Sequence, residues 1–334
     1  MFYIGLDAHW KTSTVCILDE NGREIKTQTF PGTLQVLLRH IEELPRPFEI
    51  CFEASCTYGY LYDQLRRIAQ RVIVAHPGQL RLIFRSKRKN DRVDARKLAK
   101  LLYLGEVPPV HVPPEKTRQW RSLIEFRQRL IGRRTACKNQ VRALLRGLGV
   151  VAPKGLWSRI GRAWLNELDL SEGPALRRDI LADELSHHDR QIARVTKRLD
   201  QIGARSPSVI LLQTIPGVGP RTAEAIAAYL DRPERFAHAR QVGAYFGLVP
   251  CQDSSAGSSR LGHITRQGPA TVRKLLVEAT WQAKRRCVAV QEHFDRIAGG
   301  KADRRKVALV GTAHWLLRCM WAMLRTGEQW RYVA

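Results

Sequence analysis

Cysteine is sparse and unpatterned in this chain of 334 residues. The seven cysteines are odd in number and include no Cys-x-x-Cys pair, which argues against a disulfide framework or a zinc site and for thiols kept reduced. Low-complexity sequence is absent, which excludes a mainly disordered chain. Long apolar runs are missing too. The longest uncharged one near the C-terminus, Val307 to Leu317, falls well short of the ~20 residues that span a bilayer. The N-terminal Met-Phe-Tyr-Ile-Gly-Leu-Asp carries neither a cationic region nor a cleavable apolar stretch, so the expectation is a cytosolic protein without a membrane role. Acidic residues are few: 31 Asp and Glu stand against 56 Lys and Arg, a net charge of +25. An excess of that size points to a polyanionic partner, most often nucleic acid. No lipidation motif accompanies the basic runs to redirect them to a membrane surface.

What is present begins with strand and helix signals in alternation. Phe2–Leu6 is a short apolar run closed by Asp7, and Thr14–Leu18 is rich in β-branched residues. Asn21-Gly22 between that run and Ile25–Phe30 predicts a hairpin. Phe48, Ile50 and Phe52 alternate into Glu53, and Val72–Ala75 reads as a buried strand. Helical spacing covers Leu34–Leu44, Tyr60–Arg71 and Asp91–Leu102. A hairpin followed by helices and strands in turn predicts a mixed α/β sheet over residues 1–107.

Pro108, Pro109, Pro113 and Pro114 mark a boundary. Beyond it Thr117–Leu148 is one long helical stretch in which Leu123, Leu130, Cys137 and Leu144 recur every seven residues. A second run, Leu181, Leu185, Ile192, Val195, Leu199 and Ile202, has similar spacing. Residues 108–206 therefore read as a coiled coil or helical hairpin, or as two amphipathic helices packed on a core. Ser206-Pro207 opens the last segment, residues 207–334, which is helical with Gly- and Ser-rich loops and closes on helices near Thr271–Lys284 and Arg304–Arg325.

Four carboxylates stand out. Asp7 and Glu53 end strands in otherwise apolar surroundings, where an uncompensated carboxylate is costly. Asp91 and Asp94 lie three apart, on one face of a helix. Acids so placed can converge on hard dications such as Mg²⁺, which prefer carboxylate oxygens and, in pairs, clamp the reacting oxygens of a phosphodiester. The alternative is structural, with Asp91 as a helix N-cap and Asp94 as a partner of the helix dipole. Residues 85–100 hold eight Lys and Arg against two Asp, so Lys87, Arg88, Lys89, Arg92 and Arg96 are candidate phosphate contacts. Pro216-Gly217-Val218-Gly219-Pro220 between apolar helical segments resembles a helix-hairpin-helix turn, in which Gly217, Gly219 and Arg221 would meet a nucleic-acid backbone; a plain glycine turn is the alternative. Residues 250–260 form a hydroxyl-rich stretch followed by Arg260, His263 and Arg266. A serine there could attack phosphorus if activated, or the stretch could be a flexible linker. His9 and His263 receive no role.

Taken together, Ile4-Gly5-Leu6-Asp7, Phe52-Glu53-Ala54-Ser55, Asp91-Arg92-Val93-Asp94-Ala95-Arg96, Ile215-Pro216-Gly217-Val218-Gly219, Phe246-Gly247-Leu248-Val249-Pro250, and Ser254-Ser255-Ala256-Gly257 with Arg260-Leu261-Gly262-His263-Ile264 resemble the IS110 family of bacterial insertion-sequence transposases. The likeness covers nearly the whole chain, and the order and spacing of the motifs are specific. It implies an α/β RNase H-like (RuvC-like) first domain bearing a DEDD tetrad, a helical coiled-coil segment used in assembly, and a mainly α last domain with a serine. The tetrad would be Asp7, Glu53, Asp91 and Asp94, holding Mg²⁺ or, in its place, Mn²⁺. The serine would be Ser255, the fifth residue after Pro250. The family commonly has Ser-Gly there and this chain has Ser255-Ala256-Gly257, so Ser254 is the alternate register. The resemblance further implies donor and target DNA as substrates, an element-encoded guide RNA, a dimer or tetramer, and a place in the bacterial cytoplasm on the nucleoid. A hydrolytic nuclease or junction resolvase with the same tetrad, or a non-catalytic nucleic-acid binder, are the rival readings of the same residues.

Overall fold

Alternation along the first strand sets the architecture of the N-terminal unit. In the computed structural model, which describes residues 1–83, 90–255 and 258–331 but not the side chains of residues 253–261, β1 (Phe2–Ala8), β2 (Thr12–Leu18) and β3 (Glu24–Pro31) form an antiparallel meander. β4 (Phe48–Glu53) and β5 (Arg71–Ala75) join it in parallel, giving the order β3-β2-β1-β4-β5. Ile4, Leu6, Val15, Ile17, Ile50 and Phe52 face one side, where α1 (Leu34–Glu42) and α2 (Tyr58–Leu65) bury them with Leu37, Ile41, Leu61 and Leu65. After α3 (Pro77–Ile83), α4 (Asp91–Leu104) covers the opposite face, where Cys16, Leu18 and Cys51 pack against Ala95, Leu98, Ala99 and Leu102. The predicted Asn-Gly hairpin is present with a longer loop: Asp19 accepts from the backbone N–H groups of Asn21 and Arg23, and Gly22 takes φ +73°.

The chain divides into two units, residues 1–118 and 119–334. Helix α5 (Glu115–Gly147) crosses that boundary in sequence. In the second unit α6 (Arg159–Glu167) precedes α7 (Glu172–Gly203), which runs antiparallel to α5. Cys137 Sγ meets the Leu181 carbonyl, Arg134 pairs with Asp189, and Arg127 donates to Thr196. Three of the four predicted heptad positions, Leu130, Cys137 and Leu144, are buried. The core of the unit gathers α8 (Pro207–Leu212), α9 (Pro220–Leu230), α10 (Ala239–Tyr245), α11 (Ala270–Arg286), α12 (Val288–Ala298) and α13 (Arg305–Thr326).

Two features depart from the sequence reading. β6 (Pro250–Ser255) and β7 (Ser258–Ile264) form an antiparallel pair where the sequence suggests a loop. Ser and Gly composition suggests a linker, but cross-strand ladder bonds satisfy the backbone of this stretch from within. The C-terminal end also holds three helices where two were expected, because Val290, Phe294 and Ala298 repeat every four residues and are buried. Among the described residues α13 is the one helix long and apolar enough to cross a membrane, and half of its most apolar window is buried within the protein.

Candidate active site

Gly5 is the hinge on which the site is built. A Cβ at Gly5 would lie 2.1 Å from the Ala95 carbonyl oxygen and 2.3 Å from the Ala99 nitrogen. Only a glycine lets α4 come this close to the central strand. Asp7 is two residues further along β1, on the same face as Gly5, and Asp91 is one helical turn before Ala95. Close packing of α4 on Gly5 therefore delivers the first turn of the helix to the end of β1. The N-cap of α4 is Asn90, whose side chain accepts from the Arg92 N–H. Asp91 is thus free of the capping role and lies with Asp94 in the first turn.

Asp7, Asp91 and His9 present ligand-type atoms within 4.8 Å of one another. His9 Nε2 is 3.3 Å from Asp7 Oδ2 and 3.9 Å from Asp91 Oδ1. Asp7 Oδ2 is buried and has no hydrogen-bond partner. Burial raises the Asp7 pKa above the usual carboxylate range; His9 pulls it down, and the charges of Asp91 and Asp94 push it further up. Asp94 thus acts on Asp7 through space, while its own carboxylate lies 3.6 Å from Lys97 Nζ. Glu53 ends β4, the parallel neighbour of β1, one step past the Leu6–Phe52 pair. It shares its face with Cys51, which donates to the Leu98 carbonyl of α4. Glu53 is exposed and lies outside the Asp7–His9–Asp91 cluster. A solvent-shielded carboxylate oxygen beside a second carboxylate and an imidazole fits a divalent cation, since such ions take all-oxygen or mixed oxygen and nitrogen donors.

His9 belongs to the cluster although the sequence reading gave it no role. The signal was available: Asp7 and His9 are two apart at a strand end, so both project to one side. Its backbone N–H donates to the Thr12 carbonyl, which fixes the turn into β2.

The other sequence candidates are distributed as follows. Lys87, Arg88 and Lys89 lie outside the described residues, as do the side chains of Ser254, Ser255 and Arg260. Arg92 is exposed beside the acids, whereas Arg96 makes a two-pronged ion pair with Glu24 of β3. Arg266 is exposed, with φ +56°. In the second unit a groove of about 880 Å³ is lined by Gly217, Gly219, Arg221, Arg127, Lys274 and Arg286, among others. Gly217 (φ +89°) is required by packing: a Cβ there would lie 2.4 Å from the Ala283 nitrogen of α11. Gly219 caps α9 and has open space around it. Arg221 is held by Asp200 and by Glu224, 3.0 Å away. Glu224 is 1% exposed, and burial pushes its pKa up to about 7 against the opposing pull of Arg221.

Comparison with known proteins matches the chain to a family. Residues 4–149 match the family of transposases with a DEDD domain of the IS110 type, and residues 210–295 match the transposase IS116/IS110/IS902 family. The chain is 30% identical over 298 residues to the "Probable family 20 transposase" of Pseudomonas aeruginosa, covering 84% of this chain and 85% of that one. It is 28% identical over 254 residues to the "Transposase for insertion sequence element IS1111A" of Coxiella burnetii, covering 73% and 68%. To the "Transposase for insertion sequence element IS1328" of Yersinia enterocolitica it is 24% identical over 286 residues, covering 84% and 85%.

Proposed function

The chain belongs to the IS110 family of transposases, an enzyme family acting on DNA, and from that premise we propose that it cuts and rejoins DNA strands through a covalent phosphoserine. Its first unit then has an RNase H-like, RuvC-like core, a reading supported by three antiparallel strands extended by two parallel ones. Asp7, Glu53, Asp91 and Asp94 would hold Mg²⁺, for which Mn²⁺ can substitute, with Asp7 and Asp91 already adjacent and Glu53 at the end of the neighbouring strand. Bound there, the ion supplies Lewis-acid stabilisation of negative charge on the phosphate. The single observation that carries the assignment is the solvent-shielded Asp7 Oδ2, which faces His9 at 3.3 Å and lies within range of the Asp91 and Asp94 charges.

The protein's own groups do the rest. Ser255 Oγ attacks phosphorus and loses its proton. The Oγ–P bond forms, the P–O3′ bond breaks, and the departing 3′-oxygen takes up a proton. The 3′-hydroxyl of a partner strand then attacks the phosphoserine and releases Ser255. Arg92 and the exposed cations around α4 attract the strand by charge. By family likeness the tetrad and serine come from different subunits of a dimer or tetramer, an element-encoded RNA selects donor and target, residues 108–206 serve assembly, and the enzyme works in the bacterial cytoplasm on nucleoid DNA.

The test is to react the protein with donor and target DNA, the transcript flanking its element and Mg²⁺, and to resolve products on a denaturing gel. A protein–DNA adduct and recombined product are expected from the wild type, with neither from Ser255→Ala. Cleavage without any adduct would replace the serine route with hydrolysis. An undiminished adduct from Ser255→Ala would move the nucleophile to Ser254.

A further inference from the structure

The IS110 tetrad accounts for four acids, yet among the described residues the side chain that ion-pairs with the Asp7 carboxylate is an imidazole. We infer that His9 is a ligand of the same cation site, so that the site is a mixed nitrogen and oxygen set that favours first-row transition dications over Mg²⁺. The inference rests on the reading of Asp7 and Asp91 as a cation site.

Three observations carry it. First, His9 Nε2 points between the two carboxylates, 3.3 Å from Asp7 Oδ2 and 3.9 Å from Asp91 Oδ1. Neighbouring ligands of a small octahedral cation, bound at about 2.0–2.1 Å, sit about 3 Å apart, and opposite ones about 4 Å. The imidazole is therefore spaced as a co-ligand, and all three donor atoms fall within 4.8 Å. Second, the oxygen that His9 faces, Asp7 Oδ2, is shut off from solvent, and the imidazole is its ion-pairing neighbour, so a cation bound at that oxygen would meet the ring as well. Third, the ring's position is built in: Asp7 and His9 share a face at the end of β1, and the His9 N–H to Thr12 carbonyl bond of 3.0 Å holds the turn that carries it. Imidazole nitrogen raises affinity along the series from Mn²⁺ to Ni²⁺, whereas Mg²⁺ gains little from it.

Mn²⁺ is the probe, because its electron spin reports the nuclei bound to it. The full-length protein is titrated with Mn²⁺ and with Mg²⁺, and bound Mn²⁺ is examined by pulsed electron paramagnetic resonance. The wild type is expected to bind Mn²⁺ more tightly than Mg²⁺ and to show nitrogen hyperfine coupling. His9→Ala is expected to lose that coupling and to bind Mn²⁺ at least about tenfold more weakly, the scale on which metal-site partners act, with Mg²⁺ affinity little changed. Asp7→Asn is expected to lose both ions. His9→Gln, with circular dichroism on every variant, guards against a folding defect. Bound Mn²⁺ without nitrogen coupling, or with coupling kept in His9→Ala, would overturn the role of His9 and leave the carboxylate site standing. Mn²⁺ binding indifferent to Asp7→Asn would overturn the underlying site as well.

Discussion

Each unit of this transposase sets a carboxylate beside a second acid, half-buried at Asp7 and buried at Glu224, and the surroundings of the two differ. Around Asp7 the neighbouring charges are Asp91 and Asp94, opposed at Asp7 by His9 and at Asp94 by Lys97. Around Glu224 they are Arg221 and Arg127, with Asp200 as the further acid. Both carboxylates are pushed upward by burial, so desolvation alone does not distinguish a functional acid from a structural one. What distinguishes them is local balance. The second cluster places arginines beside its acid; among the described residues the first sets Asp7 and Asp91 beside a histidine, with a lysine at Asp94, the arrangement in which the proposed cation would sit.

The largest effect should come from emptying the open cluster. Asp7→Asn removes the central carboxylate and is expected to lower Mg²⁺-dependent strand cleavage by about a thousandfold or more. Its thermal midpoint should hold or rise, because like charges are relieved. A midpoint that falls along with activity would make Asp7 structural, as Glu224 is. The converse experiment is Arg221→Met, which leaves Glu224 buried without its cation and should destabilise the protein by about 3–5 kcal/mol in a urea melt.

The pH dependence sharpens the contrast. Glu224 is raised in the folded state from 4.5 to about 7, so the folded protein holds this proton longer than the unfolded chain does. The associated stability is fully present below pH 4.5 and is lost as pH rises towards 7. Glu224→Gln should flatten this slope, a difference on the order of 3 kcal/mol between the two curves. Equal slopes in wild type and variant would remove Glu224 from the account. Gly5→Ala drives a methyl group into the α4 backbone and should cost about 1–3 kcal/mol, while loosening the approach of Asp91 to Asp7. The smallest effect belongs to Arg96→Ala. Its pair with Glu24 lies at the surface, where such bridges are worth about 0–1 kcal/mol, and an unchanged melt with weaker DNA binding would assign it to phosphate contact.

The sheet was legible because its strands alternate and its turns carry Asn-Gly and Pro. Asp7, Asp91 and Asp94 were legible as acids set in apolar or basic surroundings. His9 was missed because a lone histidine has many uses, and only the fold shows that β1 ends beside the first turn of α4. Gly5 and Gly217 look alike in sequence to any loop glycine, and their roles as close-packing points depend on helices 90 and 66 residues away along the chain, at Ala95 and Ala283. The β6–β7 pair reads in sequence as a serine-bearing loop, with a linker as the alternative, because its serines and glycines lack the β-branched signature of a strand. Glu224 could have been noticed as the one acid in the Ala-rich stretch Thr222–Leu230, but the pairing of its partner Arg221 with Asp200 needs the packing of α7 against α9.

The most direct test loads Fe²⁺ in place of Mg²⁺ and adds ascorbate and peroxide, so that radicals born at the bound ion cut the nearby backbone. Cuts clustered around Asp7, Glu53 and Asp91 are expected in the wild type, and their loss in Asp7→Asn. Cuts elsewhere in the chain, or an unchanged pattern in that variant, would contradict the claim that these acids hold the metal.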